Sequence, residues 1–108
     1  MIYRPVGGPA RIVRADGVPI GVLPDWEGLD VELRLGPGDV LIAATDGFSE
    51  ATDADGELFG QDRLLELADR LPDHGAAEMA AEFFDTTDAF GGSAAVSDDR
   101  TLLIIRGV

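Results

Sequence analysis

Val40-Leu41-Ile42-Ala43-Ala44-Thr45-Asp46-Gly47 decides the architecture of this chain. Five apolar residues in a row suit a strand covered on both faces, and Thr45-Asp46-Gly47 ends the run with a turn signal. A matching apolar stretch, Thr101–Arg106, closes the sequence and reads as a final buried strand. Between the two lie helical patterns. Asp62–Leu71 spaces Leu64, Leu67, Ala68 and Leu71 on one helix face, and Pro72 stops it. Ala76–Phe90 repeats the pattern with Met79, Ala80, Phe83, Thr87 and Phe90, and Gly91-Gly92 terminates it by admitting positive φ.

Upstream the sequence leans to β structure. Leu29, Val31, Leu33 and Leu35 alternate with Asp30, Glu32 and Arg34, the period of a half-buried strand. Gly36-Pro37-Gly38-Asp39 then turns the chain. Met1–Arg4 and Arg11–Arg14 are short strand-like segments flanking Pro5-Val6-Gly7-Gly8-Pro9, and Asp16-Gly17 is a tight turn. Pro19, Gly21 and Pro24 limit Val18–Leu23 to a short or edge strand. Ala51–Gly60 and Ala94–Asp99 read as loops. Strands first, then two helices, then a strand is α+β order: a mostly antiparallel sheet with two helices packed on one face. At 108 residues the chain is expected to be a single domain, 1–108.

Composition narrows the function classes. Twenty-one acidic residues against 8 basic ones give a net charge of -13, which repels nucleic acid and anionic membranes. With no cysteine, disulfides, thiolate metal sites and a cysteine nucleophile are excluded. Met1–Arg14 lacks the pattern of a signal peptide, and the apolar runs are too short to span a bilayer. A soluble, cytoplasmic protein is the expectation.

Two carboxylate positions stand out. Asp46 follows the most buried strand, and Asp98-Asp99 precede the last one. If those strands are antiparallel neighbours, Asp46 and Asp98 meet in one pocket. Paired carboxylates repel unless a hard cation such as Mg²⁺ or Mn²⁺ lies between them. Asp-Gly after a strand and Ser-Asp-Asp before one are also ordinary turn and loop sequences. Spacing alone leaves both readings open. Asp53-Ala54-Asp55-Gly56 lacks the first and twelfth ligands of a calcium loop. His74, the single histidine, sits in a polar connector, and no G-x-S-x-G segment accompanies it. Trp26 reads as a cover for apolar surface at the sheet edge, and the Met79/Phe83/Phe90 stripe as core.

Five segments, in order, carry a resemblance. Ala44-Thr45-Asp46-Gly47-Phe48-Ser49-Glu50-Ala51 resembles the TDG-[LF]-[TS]-E-A segment of the SpoIIE-like branch of the metal-dependent (type 2C, PPM) serine/threonine protein phosphatases. Gly56-Glu57-Leu58-Phe59-Gly60 with Arg63-Leu64-Leu65, and Ser97-Asp98-Asp99-Arg100-Thr101-Leu102-Leu103, are similar to later motifs of that family. Gly17-Val18-Pro19-Ile20-Gly21 and Leu35-Gly36-Pro37-Gly38-Asp39 match earlier ones. The resemblance implies the C-terminal half of a catalytic domain, one half of an α-β-β-α sandwich. It implies Asp46 and Asp98 as metal ligands, with Asp99 ranked below Asp98, and Mg²⁺ or Mn²⁺ as cofactor. It further implies hydrolysis of phosphoserine or phosphothreonine proteins by water, without a covalent phospho-enzyme. Substrates of the anti-anti-sigma type in bacterial signalling belong to that expectation.

The family's other metal-binding aspartate and bridging Asp-Gly motif belong to a first half that has no counterpart in residues 1–40. Little activity is therefore expected of this chain alone, and a symmetric homodimer is expected to cover its open sheet. A non-catalytic interaction module retaining the fold is the alternative.

Overall fold

A computed structural model describes residues 1–14, 32–92 and 99–108. The expected turn at Asp16-Gly17, the segment Val18–Leu23, Trp26, the first half of the Leu29–Leu35 strand, and Asp98 with most of its loop lie outside them. The elements are β1 (Ile2–Arg4), β2 (Arg11–Ile12), β3 (Val40–Ala44), α1 (Asp46–Ser49), α2 (Gly60–Arg70), α3 (Ala76–Gly91) and β4 (Leu102–Arg106). The strands form one antiparallel sheet in the order β2-β1-β3-β4. The α+β expectation holds.

Pleating divides the sheet into an inner and an outer face. Ile2, Val40 and Ile42 point inward and are buried, and Leu102 and Ile104 pack partly against the same core. The helices complete it with Leu64, Leu67 and Ala68 from α2 and Met79, Phe83 and Thr87 from α3. The last three are four residues apart, so a single stripe of α3 faces the sheet. Gly92, at φ 56°, ends α3 in a conformation that glycine adopts without a Cβ penalty. Arg4 reaches from β1 to the end of α2, where its Nη1 donates to the carbonyls of Ala68 (2.9 Å) and Leu71 (2.7 Å). Those carbonyls have no partner further along a helix that stops at Pro72.

Asp39 fastens three segments. Its carboxylate accepts from Val6 N (2.8 Å), Gly36 N (2.9 Å) and the Tyr3 hydroxyl (3.0 Å). The two backbone donors stabilise the charged form and hold this carboxyl below its ordinary range. Burial, with the neighbouring Asp39 charge, pushes the Tyr3 phenol up. The Gly36–Asp39 turn thereby anchors the start of β3 to β1.

Two strand expectations need correction. Residues 32–35 form no strand, although Leu33 and Leu35 are half-buried and Glu32 and Arg34 exposed. The alternation persists as surface covering, because both edges of β3 are already taken by β1 and β4. Nor is β4 covered on both faces: Leu103 is 57% and Ile105 42% exposed. They stand on the outer face, beside Ala43 and Leu41 of β3. Among the described residues no helix is long and apolar enough to cross a membrane.

Candidate metal centre

One end of the sheet gathers the residues of interest. β3 and β4 are antiparallel neighbours with Ala44 opposite Leu102, so the end of β3 lies beside the beginning of β4. The two ends are stitched together. Thr45 N donates to Thr101 O (3.0 Å), and Thr101 N donates to the Thr45 hydroxyl (2.9 Å). That hydroxyl donates in turn to Asp99 O (3.4 Å). Threonine at position 45 therefore serves the backbone of the opposing segment from both its main chain and its side chain.

Asp46 is the first residue of α1, a single helical turn where Thr45-Asp46-Gly47 suggests a plain turn. Phe48 explains the turn. It is fully buried, edge-on to Phe83 (6.1 Å between ring centres) and to Phe84 (5.1 Å). Winding the chain once lets Phe48 reach the core while Asp46 stays exposed. Gly47 is buried and close to the opposing strand: a Cβ there would lie 2.1 Å from Asp99 O. No larger residue fits without moving backbone.

The Asp46 carboxylate makes no hydrogen bond or ion pair among the described residues, and it borders a cavity of about 140 Å³. Thr45, Ser49 and Gln61 supply polar lining there, and Ile2, Ile42 and Leu64 apolar lining. An exposed carboxylate with no partner among the described residues fits the oxygen chemistry of a hard divalent cation, and the Thr45 and Ser49 hydroxyls add neutral oxygens to the same lining. Such an ion needs about six oxygens, and no cluster of three or more histidine or acidic side chains occurs among the described residues. Asp46 thus fits as one ligand of a site that needs others. Asp98, its expected partner, lies outside the described residues. Asp99 is exposed at the mouth of the same strand pair.

The rival sites fall away. Asp53 Oδ1 accepts from its own loop, from Asp55 N and Glu57 N at 2.9 Å each, an Asx-type turn rather than a cation loop. His74 is exposed in the α2–α3 connector. A larger groove of about 350 Å³ borders Arg4, Asp69 and Asp73, but all three are engaged. Asp69 accepts from Ala10 N and Asp73 from Arg106.

The family model described as Stage II sporulation protein E (SpoIIE) matches residues 1–107. Among solved structures, the chain is similar to the "SiaA-PP2C domain of Pseudomonas aeruginosa", with a TM-score of 0.81 and 24% sequence identity. That match covers 97% of this chain and 42% of the other, so the chain spans less than half of the matched structure. At this identity the likeness concerns the fold. Comparison with curated proteins finds no match.

Proposed function

The chain belongs to the SpoIIE family, and from that membership we propose that it is the C-terminal part of the catalytic domain of a metal-dependent protein serine/threonine phosphatase. Asp46 and Asp98 are proposed as ligands of one Mg²⁺ or Mn²⁺ ion. The observation that carries the reading is the pairing of β3 with β4, which sets the Asp46 turn against the segment leading into Leu102. A divalent cation held there would neutralise charge on a phosphoryl group and favour attack by water. The residues of this chain contribute position: Thr45 and Gly47 fix the turn, and the exposed Asp46 carboxylate, unpartnered among the described residues, is available to the ion. Phosphoserine or phosphothreonine proteins, among them regulators of the anti-anti-sigma type, are the proposed substrates, and the cytoplasm the proposed location.

Manganese titration followed by electron paramagnetic resonance tests the ligand assignment. Asp46→Asn and Asp98→Asn are each expected to weaken Mn²⁺ binding by at least about tenfold, since each removes a charged oxygen ligand. The thermal melt should barely move for Asp46→Asn, because its carboxylate holds no other group among the described residues. Undiminished Mn²⁺ binding in both variants would favour the alternative, a non-catalytic interaction module.

The outer face of the sheet supports one further element of this reading. Leu103, Ile105 and the half-buried Leu41 form an apolar row on a strand pair whose outer member, β4, ends the sheet. We propose that two copies of this chain pair through that face. Light scattering at tens of micromolar should give a dimer mass, and Leu103→Lys with Ile105→Lys a monomer. A monomeric parent chain would dismiss the pairing.

A further inference from the structure

We propose that Arg100 is a positioning residue for Asp46, a role that rests on the reading of Asp46 as a metal ligand. Arg100 stands between two sets of contacts. Its side chain, 16% exposed, leaves the segment just before β4 and reaches α3. There Nη1 donates to Asp88 Oδ1 at 2.7 Å and to the Thr87 hydroxyl at 2.9 Å. The Thr87 hydroxyl spends its own proton on the carbonyls of Phe83 and Phe84, one turn back in α3. It is left as an acceptor for the arginine. The guanidinium carbon also lies 5.7 Å from the centre of the Phe48 ring and 5.2 Å from that of Phe84.

Phe48 links this cluster to the candidate metal centre, because it lies in the same helical turn as Asp46. The main chain on either side of Arg100 provides the second link. Asp99 O accepts from the Thr45 hydroxyl and leaves no room for a Cβ on Gly47, while Thr101 exchanges two hydrogen bonds with Thr45. One side chain therefore fixes both walls of the Asp46 turn: Phe48 beneath it through the ring contact, and residues 99–101 beside it through the backbone. Helix α3 is the rigid part to which both are tied.

Lysine cannot reproduce this. The broad guanidinium serves both acceptors through Nη1 while its carbon lies 5.7 Å and 5.2 Å from two ring centres. The compact, strongly hydrated ammonium could reach the acceptors only by giving up the ring contacts. Groups that hold a ligand in place, without touching the metal, change affinity by about 10–100-fold when removed.

The test uses Arg100→Lys, Arg100→Ala and Asp88→Asn in the 108-residue chain, read by amide hydrogen exchange and Mn²⁺ titration. Asp88→Asn keeps the fold most securely, since Asp88 is 58% exposed and its carboxylate is tied to this end of the sheet through Arg100. Exchange at Thr45 and Thr101 should accelerate at least about tenfold, while Val13 and Gly107, bonded to Met1 O and Asp39 O at 2.8 Å each, keep their protection. Mn²⁺ affinity should fall by about 10–100-fold in Arg100→Lys. Uniform loss of protection at all four amides would reduce Arg100 to a general stabiliser and overturn its role. So would unchanged exchange at Thr45 and Thr101, or Mn²⁺ affinity equal to that of the parent chain. Parent Mn²⁺ binding that ignores Asp46→Asn removes the ligand assignment itself, and that result is separate from any Arg100 variant.

Discussion

Gly47→Ala is expected to destabilise the chain by about 3 kcal/mol, the upper part of the range for forced overpacking. The added methyl would stand 2.1 Å from Asp99 O, 2.9 Å from Asp99 C and 3.0 Å from Arg100 Cγ. Two of those three atoms are backbone and cannot rotate aside. Relief requires β3 and β4 to part at the end where Thr45 and Thr101 hold each other. Helix propensity works the other way, since alanine is better than glycine by up to ~1 kcal/mol inside a helix. That gain is smaller, and a single-turn helix realises little of it. Sterics should win. Gly56→Ala is the control: φ is 81° and nothing lies within 4 Å of its Cβ, so only a left-handed strain of roughly 1–2 kcal/mol applies. Urea melts of both variants decide the matter. A Gly47→Ala chain as stable as its parent would show that the two strand ends are loosely held, and the positional account of Asp46 would go with it.

Some of this end of the sheet was legible in the sequence. The apolar run Val40–Ala44 announced β3, and Asp46 at its end was the natural candidate, because a carboxylate just past a buried strand sits where the sheet meets solvent. The antiparallel pairing with the last strand was a condition that the sequence left open, and the register of β3 against β4 meets it. Helix α1 was not legible. Asp46-Gly47 has poor helix propensity and is a common turn pair, and the helical turn exists because Phe48 must reach the rings of Phe83 and Phe84. That is a tertiary cause, invisible to local pattern.

The roles of Asp39 and Arg100 were hidden for a similar reason. Asp39 was read as the last residue of a turn, yet its carboxylate also ties in Tyr3 and Val6, more than thirty positions away. Arg100 stands in the sequence only as a member of the Ser97–Leu103 motif, between a loop and the last strand, while its acceptors lie on α3. Apolar runs also mislead about covering. Leu102-Leu103-Ile104-Ile105 is apolar on both faces, as a doubly buried strand would be, but the helices of this chain cover one. An unbroken apolar strand reports that both faces are to be covered, not by what.

The other large effect is expected at Phe83, whose replacement by alanine should cost about 3–5 kcal/mol. Its side chain is fully buried in the centre of the α3 stripe, between Met79 and Thr87, and meets Phe48 edge-on at 86°. Truncation to alanine removes the transfer free energy of a whole ring and leaves a cavity that neighbours in a sheet and two helices fill poorly. It also removes a ring pair worth about 0.5–1.5 kcal/mol beyond the buried area. Small domains hold some 5–15 kcal/mol in total, and this one has helices on a single face, so a loss of that size should leave a partly unfolded population at room temperature. Phe83→Leu keeps much of the apolar volume and should lose less than half as much. Far-ultraviolet circular dichroism in urea measures both. The ring contact adds a local signature: without Phe83 behind it, Phe48 loses its backing, and the exchange protection of Thr45 and Thr101 should fall in Phe83→Leu by more than its global stability accounts for. Equal protection in Phe83→Leu and the parent chain would mean that Phe48 is held by Phe84 and Arg100 without help from the core.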